Sequence, residues 1–180
     1  MSLRQLSARA GVDRPLDTGA AMLTPGLLAE YRYLDFERSH FLSRATGLEG
    51  QAGTVDEEVR LAFAGPSLRV EREVAPGTRV TSRLACQWML DGRVHNSLFG
   101  SDLAADRGRL TTLELSLLRQ ENPDAPLWTF SVMVEHQSLK GSASQRLIPG
   151  RRGEPVYEYV EWPDNVLDTV AFQLSRGIRF

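Results

Sequence analysis

From Thr78 to Leu118 apolar and polar residues alternate, and much of the remaining sequence repeats that pattern. In residues 79–90, Val80, Leu84, Cys86, Trp88 and Leu90 fall on even positions, while Arg79, Thr81, Arg83 and Gln87 fall on odd ones. Period two marks a strand with one buried face. Asp91-Gly92 comes next and suits a two-residue hairpin, where both central positions need φ > 0. With that turn, Leu90 faces Arg93, Trp88 faces His95, Cys86 faces Ser97 and Leu84 faces Phe99. The enclosed face then holds His95, Ser97 and Ser101 among apolar groups. A buried polar group without a partner costs about 1–3 kcal/mol, so two accounts compete. One is a partly polar cavity; the other is a bulge-shifted register or a wet strip at a rim.

Residues 1–22 show no sustained period and are expected as an irregular N-terminal arm, with residues 23–180 as a single β-rich domain. Thr24-Pro25 resembles a helix start, and Leu27, Leu28, Tyr31 and Leu34 follow at helical spacing. This predicts a short N-terminal helix; a strand from Leu28 to Phe36 is the alternative. From Val55 the pattern is β, broken at Gly65-Pro66, at Ala75-Pro76-Gly77 and from Ala105 to Gly108. Trp128, Phe130, Val132, Val134 and His136 share one face of a later strand, with Glu135 on the other. Asp164 caps a predicted C-terminal helix from Asn165 to Arg176, with Val166, Leu167, Val170, Ala171 and Leu174 as its apolar stripe.

Seven to nine strands in consecutive hairpins predict a mainly β (β-rich α+β) fold. It is an antiparallel meander forming a small closed or partly closed barrel, with a helix near each end. A barrel of about eight strands is wide enough to hold one small ligand.

Composition narrows the partners. A chain of 180 residues is long enough for one core without staples. Its single cysteine, Cys86, reads as a small apolar residue on its strand. The net charge of −2 gives no reason to expect nucleic acid, although all cations but Lys140 are arginine. No run of 18 apolar residues predicts a membrane span, and the N-terminus lacks the apolar segment of a signal peptide. The expected location is cytoplasmic.

The three histidines, His40, His95 and His136, lie in different elements without metal-ligand spacing, so neither a metal nor a cofactor is implied. No GxSxG nucleophile motif occurs, and Gly47, Gly50 and Gly53 lack the helix that a phosphate loop requires. His95 is the best single acid–base candidate, since imidazole titrates near neutrality and Trp88 would exclude water beside it.

These features predict an interior hydrophobic pocket lined by Trp88, His95, Ser97, Phe99, Trp128, Phe130 and His136. It would bind a small apolar or amphipathic molecule. One alternative is an enzyme acting on such a ligand with His95 as acid or base: an isomerase, hydratase, cyclase or thioesterase. The other is an assembly factor that binds a protein, or a second copy as a homo-oligomer, through an edge strand and the Tyr157/Tyr159 strip.

Overall fold

The computed structural model describes residues 2–38, 41–42, 49–50, 55–96, 101–122, 125–143, 145–146, 159–160 and 162–177. In chain order the strands are β1 (Ser2–Asp13), β2 (Leu16–Asp17), β3 (Met22–Arg38), β4 (Phe41–Leu42), β5 (Glu49–Gly50) and β6 (Val55–Ala75). They continue with β7 (Thr78–Asn96), β8 (Ser101–Arg119), β9 (Leu127–Ser142), β10 (Gln145–Arg146), β11 (Tyr159–Val160) and β12 (Asn165–Gly177). The main sheet is an antiparallel meander in the order β1-β3-β6-β7-β8-β9-β12, with β2 beside β3. The pairs β4/β5 and β10/β11 stand apart from it. The chain is mainly β, and no helix occurs among the described residues.

Both expected helices are strands. Residues 165–177 pair along their whole length with β9, and residues 22–38 pair along theirs with β6, residues 26–37 pairing also with β1. Three of the five residues in the stripe drawn at helical spacing, Val166, Val170 and Leu174, satisfy period two as well, while Leu167 and Ala171 fall on the other face. Val166, Val170, Phe172 and Leu174 share one face, and the β-branched valines and the aromatic Phe172 suit a pleated surface beside an available partner. Within residues 1–22, β1 is hydrogen-bonded to β3 from Ser2↔Glu37 to Asp13↔Gly26.

Asp91-Gly92 is not a turn either. Strand β7 runs through it to Asn96, and the tight turn comes earlier, at Pro76-Gly77, where Gly77 has φ of 69°. Leu90 is an extra residue: Phe63 pairs with Met89 and Ala62 with Asp91, which is a β-bulge. Gly92 serves close packing, since a Cβ there would lie 2.6 Å from Met89 Sδ. The other expected breaks, Gly65-Pro66 and Ala105 to Gly108, also lie inside continuous strands.

The sheet curls into a half-barrel. Arg9 on β1 reaches across the concave side to Glu135 and Met133 on β9, which is second from the opposite edge. Each neighbour in the meander reverses direction, so the two edge strands, β1 and β12, run the same way. At the end where β3 meets the 39–54 connection, the interior holds a packed cluster of Leu34, Val59, Leu61, Phe63, Val94, Leu103, Leu110 and Leu139. Trp162 closes over this cluster, fixed by its backbone N–H donating to Ser142 Oγ at 2.8 Å.

Candidate functional surface and the buried charge network

Cross-strand register sorts every long strand into two faces. The inner face carries Arg9, Glu30, Arg32, Gln87, Thr112, Glu135 and Gln137, all but Arg9 being buried. The outer face carries the exposed apolar residues. They include Leu27 on β3, Leu68 on β6, Leu84 and Trp88 on β7, Leu113, Leu115 and Leu117 on β8, Phe130 and Val134 on β9, and Val170, Phe172 and Leu174 on β12. They continue from strand to strand: Leu68 pairs with Leu84, Leu84 with Leu113, Leu113 with Val134, and Val134 with Val170. Water-soluble monomers rarely expose so continuous an apolar surface.

The band has edges. On β8 it lies between Arg109 and Arg119, and on β6 between Arg60 and Arg72. Ten residues at ~3.4 Å each span ~34 Å of strand, or about 24 Å of height at the ~45° tilt usual for barrel strands. Amphipathic aromatics sit at both edges. Trp128 pairs with Arg119 and Arg176, whose guanidinium lies 5.3 Å from the ring centroid. At the other edge Trp88 pairs with Arg109 and Tyr33 with Arg60.

Inside, two arginines and two glutamates form a closed network. Arg32 Nε donates to Glu30 Oε1 at 2.6 Å, and Arg32 Nη2 to Glu135 Oε1 at 2.7 Å. Arg9 Nε donates to Glu30 Oε2 at 2.7 Å, and Arg9 also bonds Glu135. Gln137 Oε1 accepts from Arg32 at 3.3 Å, and Thr112 Oγ1 donates to Glu135 at 3.4 Å. Each carboxylate thus meets both guanidiniums, and the four formal charges sum to zero. The Arg32 side chain is only 2% exposed, so such matching is what makes its burial tolerable.

The residues expected to line a pocket lie elsewhere. Trp88 (54% exposed), Trp128 and Phe130 are on the outer face. His95 and His136 are also outward, each with an exposed carboxylate partner: Nδ1 lies 2.7 Å from Asp102 Oδ1 and from Asp168 Oδ1, respectively. The two pairs belong to different strand pairs, β7/β8 and β9/β12. Ser97, Phe99, His40 and Tyr157 lie outside the described residues, as does the side chain of Tyr159. Among the described residues no three His, Cys, Asp or Glu side chains come together as a metal site.

Sequence reading missed the network because Arg9 fell in a segment without a period and Glu135 on a face taken as external. The available signal was the alternation Glu30-x-Arg32 and Glu135-x-Gln137, polar residues repeating on one side of otherwise apolar strands. No family model matches the sequence, and comparison with curated proteins gives no match.

Proposed function

We propose that this chain forms the wall of a membrane-embedded β-barrel whose interior is closed, so that it acts as an anchored scaffold rather than an open pore. One observation carries the reading: side-chain polarity is inverted, with a continuous apolar band outside and a charge-matched polar network within. That alternation, apolar toward lipid and polar toward the lumen, is what a bilayer requires of strands. Among the described residues no helix is long and apolar enough to cross a membrane, and in this reading strands are the spanning elements. The apolar cluster beneath Trp162 and the charge network beside it occupy one end of the interior, where an open channel would have to pass.

An interior site for an apolar molecule has less support, because Trp88, Trp128 and Phe130 project outward and the apolar part of the interior is already packed. An edge-strand partner gains support. Open edges are not stable in hydrocarbon, and because β1 and β12 run the same way, one strand antiparallel to both would close the ring. The test is flotation. The full chain, refolded with phosphatidylcholine vesicles and centrifuged through a density gradient, is expected to rise with the lipid and to stay there after a urea wash. A chain left in the lipid-free fraction would rule the reading out.

A further inference from the structure

Below the charge network, toward the Pro76-Gly77 turn, the inner face carries a second charged row that is not matched. Thr24, Arg69, Arg83 and Glu114 are successive cross-strand partners on β3, β6, β7 and β8. Two arginines therefore stand directly opposite each other, a placement that destabilises a sheet unless something negative lies between them. Among the described residues, neither arginine forms an ion pair or a hydrogen bond. Arg69 Nε and Thr24 Oγ1 are enclosed without a partner, and Thr24 is 2% exposed. Buried donors left in this way call for an acceptor that the chain itself does not supply.

Arg69 and Arg83 both face a cavity of about 310 Å³, which Thr81, Ser116, Ser131 and Gln173 also line. Two carboxylates border it. Glu71 is engaged by Arg79 at 2.9 Å, and Glu114 is Arg83's cross-strand neighbour without an ion pair to it. With Glu71 neutralised by Arg79, two guanidiniums stand against one carboxylate.

We propose that this cavity is a binding site for a small oxyanion, a phosphate or carboxylate group bridging Arg69 and Arg83. Guanidinium forks match such groups bidentately, and the hydroxyl of Thr81 and one of the hydrogen-bonded pair Ser116–Ser131, 2.8 Å apart, offer further donors. The site faces the interior and stands whether or not the outer face meets lipid.

Thermal unfolding of the full chain in detergent micelles, with sodium phosphate, sodium acetate or sodium chloride at equal ionic strength, tests it. Phosphate, acetate or both are expected to raise the midpoint by a few degrees over chloride, and which of them does so identifies the anionic group. Arg69→Gln and Arg83→Gln should each abolish that rise, and in chloride alone Arg83→Gln should unfold no earlier than the parent, because a repulsion is removed. Should either glutamine variant fail to fold, Glu114→Gln serves in its place: removing the competing carboxylate should enlarge the rise. Equal midpoints in all three salts, or a rise that survives both arginine replacements, would overturn the site.

Discussion

Leu115→Arg is expected to prevent stable insertion into lipid. Leu115 is 47% exposed in the middle of the outer band, flanked on its own strand by Leu113 and Leu117. On a water-facing surface a leucine-to-arginine change is usually worth less than about 0.5 kcal/mol, and it often improves solubility. At the midplane of a bilayer the same change costs roughly 2–4 kcal/mol. The two environments therefore predict opposite outcomes for one substitution. Denaturant unfolding of vesicle-bound protein should show a loss of that size, together with a smaller floating fraction. Unchanged stability and improved solubility in buffer would mean that the face meets water.

The second large effect lies inside. Arg32→Met should destabilise the fold by roughly 3–5 kcal/mol, because it leaves the buried carboxylates of Glu30 and Glu135 to share the half-exposed Arg9 alone. Adding Glu135→Gln restores neutrality. The double variant is expected to be more stable than Arg32→Met by itself, read as the midpoint of denaturant unfolding. Strictly additive losses would show that the four side chains are not coupled.

The period of the strands was legible in the sequence; the direction of the faces was not. Alternation correctly put Val80, Leu84 and Trp88 together, and likewise Trp128, Phe130 and Val134. Period two says only that two faces differ. Which of them turns inward depends on the solvent, and the assumption that apolar means interior put Trp88, His95 and Phe130 around a pocket when they project outward. Glu135, assigned to the outside, is among the most enclosed charges in the molecule.

Strand length was the second obstacle. Strands of 16 to 21 residues, as in β6 to β9, exceed the usual 3–10. Gly65-Pro66, Asp91-Gly92 and Ala105 to Gly108 were therefore read as ends of ordinary strands. Within a long curled strand the same residues do other work. A Cβ on Gly65 would fall 2.1 Å from the Cys86 carbonyl oxygen, and Leu90, next to Asp91, is the extra residue of a bulge in β7. The helical reading of residues 165–176 failed for a related reason: over one short segment, spacings of two and of three to four select overlapping residues. The partner strand β9, invisible in local sequence, decided between them.

Cys86 offers the most direct probe of the outer face. It is the chain's single cysteine, and it lies on that face between Leu84 and Trp88, opposite Thr111. A nitroxide attached there needs no substitution and reports its surroundings by collision with oxygen, which concentrates in lipid, or with a nickel chelate, which stays in water. In vesicles the nitroxide should collide often with oxygen and scarcely with the chelate. Free access of the chelate to Cys86 would show that the apolar band faces water and that the strands do not span a membrane.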